Sequence, residues 1–204
     1  MNYNPVARYY DKLSRLVFGN NLLEAQSYFL DRIPPGSKVL IVGGGTGQIL
    51  EEITRLQPSG LHITYIDSST KMTDIARCKN ITNNKVIFIT APVETTNFEY
   101  TFDVIITPFL FDNFKPDSAA KIFSAIDRYL AKDGLWLYTD FRNTKALRQK
   151  LLLKIMYAFF RLFCGIEATQ LPDIKNCFEN SGYAVVMGNT FMKGFIASTV
   201  YKRY

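Results

Sequence analysis

Residues 39–50 read VLIVGGGTGQIL, a run of apolar, mostly branched side chains that ends in four glycines within five positions. Lys38–Val42 has the composition of a strand covered on both faces, and a helical pattern begins near Thr46. Glycine reaches positive φ without steric cost, so the turn between them lets the backbone come very close to something. Two phosphate-binding readings fail here. A P-loop needs lysine and a hydroxyl residue after its last glycine, whereas Gly47 is followed by Gln48 and Ile49. A dinucleotide fingerprint needs Gly-x-Gly-x-x-Gly; counted from Gly43 the third position is Gln48, and counted from Gly45 it is Leu50. What remains is Gly43-x-Gly45-x-Gly47, with Asp67 twenty residues beyond it at the end of the next strand. An acid so placed accepts hydrogen bonds from ribose hydroxyls, and the two features together point to a nucleoside without a pyrophosphate.

Working outward, short apolar runs alternate with helical patterns. Strands are expected at 38–42, 62–67, 85–90, 102–107 and 134–141, with helices at about 46–56, 69–79, 116–131 and 143–164. A further helix follows Pro172 and stops at Gly182. The first thirty residues read as helix, broken at Gly19-Asn20-Asn21. YAVVMG (183–188) and FIASTVYKRY (195–204) are joined by NTFMK, too short a link for a parallel crossover, so they pair as an antiparallel hairpin. The fold class is α/β, a doubly wound and mostly parallel sheet. In such sheets ligands sit beyond the carboxyl ends of the strands, which marks Gly43–Gly47, Asp67, Pro92–Glu94, Thr107–Asp112 and Asp140.

Composition narrows the classes. A chain of 204 residues suits one domain, 1–204, with a helical lid over about 1–33 and an inserted apolar helix over about 143–164. The net charge of +6 is scattered, with no basic stripe or nucleic-acid module, so no nucleic-acid partner is expected. Cys78, Cys164 and Cys177 are odd in number and far apart, and His62 is the only histidine; no metal site or disulfide framework is implied. The N-terminus, MNYNPVARYYDKL, lacks the apolar core of a signal peptide, and a reducing cytoplasm is the default location.

The ordered motifs resemble those of class I S-adenosylmethionine-dependent methyltransferases. VLIVGGGTG is similar to their first motif and YIDSSTKM to their second. VIFITAPVET, FDVIITPFLFDNF and DGLWLYTDF fall at their third, fourth and fifth, and the terminal hairpin falls at their sixth and seventh strands. The resemblance covers nearly the whole chain and implies a Rossmann-like seven-stranded sheet. The implied cofactor is S-adenosyl-L-methionine, with S-adenosyl-L-homocysteine as product. It also implies that Gly43, Gly44, Gly45 and Gly47 line the cofactor, Asp67 binds its ribose, Ser68, Met72 and Val93 surround its adenine, and Thr107 lies near its amino group. Two positions depart from the family pattern: Ile41 stands where an acid is common, and Pro92 where an aspartate often is.

Asp112 and Asp140 follow the fourth and fifth strands, where a base for the acceptor would sit, though each also reads as a turn or cap residue. Tyr10, with Tyr9, reads as lid or as core aromatic. In ALRQKLLLKIMYAFFRLFCGIEA, Lys150, Lys154, Tyr157 and Arg161 form one narrow polar stripe and apolar residues occupy most of the rest. That helix packs on the sheet, roofs an apolar acceptor pocket, meets a second subunit, or contacts a membrane surface through 147–163. The function read from this is methyl transfer to a small, partly apolar acceptor by a monomer or homodimer. The alternatives are a non-catalytic binding or membrane-associated protein with this fold, and a nicotinamide-dependent reductase, against which the missing third glycine counts.

Overall fold

A computed structural model describes residues 2–56, 60–82 and 84–204. Seven strands form one sheet in the order β3-β2-β1-β4-β5-β7-β6. They are β1 (Lys38–Val42), β2 (His62–Asp67), β3 (Lys85–Thr90), β4 (Phe102–Pro108), β5 (Leu130–Phe141), β6 (Tyr183–Phe191) and β7 (Ile196–Arg203). The first five pair in parallel, and β7 pairs antiparallel with both β5 and β6. The helices are α1 (Ala7–Phe18), α2 (Asn21–Ser27), α3 (Gln48–Leu56), α4 (Thr70–Arg77), α5 (Pro116–Asp127), α6 (Leu147–Cys164) and α7 (Ile174–Asn180).

The apolar run of β1 is explained by its place at the centre. Val39 and Ile41 pack to one face with Ile49, Leu50 and Ile53 of α3. Leu40 and Val42 pack to the other with Ile122, Phe123 and Ile126 of α5. Alternate side chains thus enter two different cores, and every position must be apolar. Ile41, fully buried in the first of these cores, has no access to a ligand.

Helix ends follow local chemistry. Ser69 caps α4 by accepting from the Met72 N–H at 3.3 Å, Pro116 opens α5, and Gly165 ends α6 in the left-handed conformation. Three expected boundaries move. Helix α5 stops at Asp127, and β5 begins at Leu130, where Leu130 pairs with Phe102 and a register shift follows before Leu135 meets Val104. The sixth helix starts at Leu147. NTF of the hairpin link belongs to β6, leaving a tight turn through Met192, Lys193 and Gly194, all at positive φ.

One face is dominated by aromatic packing. Trp136 stacks on Phe123 at 4.9 Å, and Phe178 of α7 meets both edge-on and stacks on Tyr201 at 3.7 Å. Phe178 is fully buried and joins α7 to α5, β5, β6 and β7 at once. Phe178→Ala is expected to cost about 3–5 kcal/mol. Urea unfolding should show this as a lower midpoint with an unchanged slope.

Candidate active site

Between β3 and β4 the chain crosses from one side of β1 to the other, so the loops after β1 and β4 diverge at the sheet's switch point. A cavity of about 440 Å3 opens there. One end is walled by Gly43, Gly44, Gly45, Asp67, Ser68 and Met72, and Pro92 and Val93 close the same end from β3.

The glycines serve different purposes. A Cβ on Gly44 would lie 2.3 Å from the Tyr65 ring, and one on Gly47 would lie 2.8 Å from the Ala76 Cβ of α4. A Cβ on Gly43 would strike Leu110 of the β4 turn at 2.8 Å. Only at Gly45, of these four, does the added atom meet nothing within 4 Å, and Gly45 lies on the cavity wall. So Gly45 leaves room for a ligand, Gly43 and Gly44 also reach the wall, and Gly47 is a packing position away from it. Gly43, Gly45 and Gly47 all have positive φ.

Asp67 holds the loop from the neighbouring strand. One carboxylate oxygen accepts from the Gly45 N–H at 3.0 Å and the other from the Ser69 N–H at 2.8 Å. Burial pushes its pKa up, and these two donors pull it back. Each oxygen keeps a lone pair for a further donor.

The N-terminal segment is tied to all three ligand loops. Asp11 accepts from the Thr46 hydroxyl at 2.6 Å, Asn4 accepts from the Ser69 hydroxyl at 2.8 Å, and the Tyr3 hydroxyl donates to Asn113. Tyr10 lines the cavity beside Phe160, whereas Tyr9 points out and is 62% exposed.

The far end of the cavity is apolar. Leu13, Val17 and Leu22 of the first two helices face it, with Leu152, Met156 and Phe159 of α6. Polar heads also line the cavity, among them Asp112 and Tyr157. Asp112 is buried and accepts from the Asn113 amide at 2.8 Å. The Tyr157 hydroxyl is buried with no hydrogen-bond partner. Tyr157 therefore corrects the expected polar stripe: it turns inward with Leu153 and Cys164, while Leu147, Leu151, Ile155 and Leu162 face out. Phe109, also on the wall, holds φ at 49°, an uncommon conformation for a bulky residue and a mark of local strain.

Asp140 and Thr107 do not reach the cavity. Asp140 accepts from the N–H groups of Phe111, Asp112 and Phe141, fixing the turn that presents Asp112. Thr107 is fully buried and accepts from the Trp136 indole at 2.9 Å. His62 is exposed at the opposite end of β2. Among the described residues no group of three or more His, Cys, Asp or Glu is placed to hold a metal ion, and Cys78, Cys164 and Cys177 are free.

Burial raises the pKa of both Asp112 and Asp140, and the charge of Asp140 raises Asp112 further. Asp140, with its backbone donors, is held at about 7, while Asp112 lies well above the ordinary 3.8. The two carboxyls therefore lose their protons as a pair.

A family model described as a methyltransferase domain matches residues 15–187. No curated protein matches the chain. Among solved structures, the magnesium protoporphyrin IX methyltransferase of Synechocystis PCC 6803 with bound SAH is 16% identical, with a TM-score of 0.66 over 96% of this chain and 88% of that one. The 1,6-didemethyltoxoflavin-N1-methyltransferase of Burkholderia thailandensis, bound to 1,6-didemethyltoxoflavin and S-adenosylhomocysteine, is 14% identical, with a TM-score of 0.66 over 97% and 84%. The plantazolicin methyltransferase BpumL in complex with SAH is 16% identical, with a TM-score of 0.63 over 98% and 95%.

The carboxyl pair makes stability depend on pH. A carboxyl whose pKa is raised by folding stabilises the fold fully below its unfolded value, near 3.8, and this is lost as pH rises through its folded value. The parent should therefore lose melting temperature from about pH 4 to beyond about pH 7. Asp112→Asn should flatten that fall by about 2–4 °C for each kcal/mol of removed repulsion. Thermal melts across pH check both the sign and the difference.

Proposed function

The chain belongs to the methyltransferase-domain family, and from that premise we propose that it transfers a methyl group from S-adenosylmethionine to a small, partly apolar acceptor. The observation that carries this reading is the open space at Gly45 beside the Asp67 carboxylate, at one end of a cavity whose other end is apolar. The residues present fit the cofactor. Gly45 leaves room against the loop, the free lone pairs of Asp67 accept ribose hydroxyls, and Ser68, Met72, Pro92 and Val93 bound the adenine end. With Ile41 in the core, the methionine end relies on backbone groups of Gly43 to Gly45. When bound, S-adenosylmethionine supplies an electrophilic methyl on a sulfonium, and S-adenosylhomocysteine is the by-product.

The protein's part is mainly to position the reactants, since an in-line displacement gains most from alignment and exclusion of water. Phe109, Phe159 and Phe160 hold the acceptor's apolar body. Asp112 and the unpaired Tyr157 hydroxyl meet its polar atom, and Asp140 positions Asp112 through the turn. An acceptor that must lose a proton passes it to Asp112 in its ionised form, the form that burial disfavours. Three free thiols suit a reducing compartment such as the cytoplasm.

Calorimetry with S-adenosylmethionine, S-adenosylhomocysteine and NADH tests the cofactor: the first two bind and the third does not. Asp67→Ala should weaken S-adenosylmethionine binding at least tenfold, since it removes two charge-assisted hydrogen bonds of about 1.5–3 kcal/mol each before solvent compensation. Affinity within twofold of the parent, in a folded variant, overturns the ribose assignment.

The acceptor end has its own test. Phe159→Ser should reduce turnover of apolar acceptors about tenfold or more, the equivalent of one misplaced reactant, with cofactor affinity within twofold of the parent. Turnover that is unchanged across an acceptor panel shows that the apolar end does not hold the acceptor.

A further inference from the structure

The methyl-transfer site leaves one surface unexplained, the outer face of α6. Leu147, Leu151, Ile155 and Leu162 lie along it at helical spacing and are 81%, 60%, 57% and 78% exposed. A surface helix ordinarily turns such side chains inward. Here the inward face is already occupied by Leu153, Tyr157 and Cys164, so the helix carries a second, outward apolar stripe.

Cations frame that stripe. Arg148, Lys150, Lys154 and Arg161 are exposed along the helix, and no acid occurs between Asp140 and Glu167. Among the described residues none of the four makes an ion pair. Ile155 belongs both to the stripe and to the cavity wall, and Val17 of α1 is likewise on the wall and 40% exposed. The cavity therefore opens to solvent through apolar side chains at the edge of this stripe.

We propose that this face of α6 docks on an anionic phospholipid bilayer. Leu147, Leu151, Ile155 and Leu162 enter the boundary between headgroups and acyl chains, and the four cations lie against lipid phosphates. Among the described residues no helix is long and apolar enough to cross a membrane, so contact is along the helix axis. Charge selects this occupant. A second copy would set these cations against the same cations with no acid between them, whereas an anionic bilayer supplies the missing counter-charge. The cavity mouth then faces the lipid, which deepens the methyl-transfer reading by naming the acceptor class as a membrane-dissolved amphiphile. Docking itself stands apart from that reading, because vesicle binding needs neither cofactor nor turnover.

Sedimentation with sucrose-loaded vesicles decides it. The parent should pellet with vesicles of equal parts phosphatidylcholine and phosphatidylglycerol, stay in solution with phosphatidylcholine alone, and be released by added salt. Leu147→Ser with Leu151→Ser, and separately Lys154→Glu with Arg161→Glu, should each weaken partitioning about tenfold or more while melting at the parent's temperature. Parent binding that is absent, indifferent to lipid charge, or unaffected in both variants overturns the proposal. So does light scattering that shows a parent dimer made monomeric by the leucine pair, because a second copy then covers the face. Loss of calorimetric cofactor binding with vesicle binding intact would sink the methyl-transfer reading and leave the docking in place.

Discussion

A parallel sheet that grows from β1 out to β3 and then resumes at β4 on the other side of β1 cannot close over its own centre. The loop leaving β1 runs to α3 on one face, and the connection leaving β4 runs to α5 on the other. Their separation opens a gap at the carboxyl ends of two strands whose side chains are mostly committed to the cores. The near contact between Gly43 and Leu110 shows how narrow the root of that gap is. Asp67 stiffens one lip by joining the β1 loop to the β2 turn, and Asp140 stiffens the other by holding the Phe111 and Asp112 amides.

The two lips differ in how water treats their carboxyls. Asp67 is partly exposed, and its two backbone donors oppose the rise in pKa that burial causes. Asp112 is buried beside a second acid, with one amide donor and a phenol close by, so its end is dry and favours the neutral form. One cavity thus presents two electrostatic environments to the two halves of a transfer reaction.

Strand positions were legible because the buried central strands are mostly apolar, and β1 to β4 begin where the apolar patterns begin. The end of α5 was not, since Tyr129, Leu130 and Ala131 suit a helix as well as a strand, and only pairing with Phe102 decides. Gly47 and Gly45 share positive φ, and sequence cannot say that one faces Ala76 and the other open space. Tyr157 was counted polar for its hydroxyl. The signal that would have found it is its spacing from Leu153 and Cys164, which puts all three on one face. Thr107 ends a strand at the ligand side, yet the indole of Trp136 claims its hydroxyl, a contact between distant residues that no local pattern encodes.

The bonds from Tyr3, Asn4 and Asp11 end on the same loops that shape the cavity. Whatever orders those loops therefore also holds the N-terminal segment in place, and whatever frees the segment loosens the loops. A ligand that favoured the docked segment would, by linkage, be favoured by it by the same factor. A ligand that enters only when the segment is open binds with an apparent affinity scaled by the open fraction. Cutting back the first dozen residues would thus remove support from three loops at once, with no change to any residue of the sheet.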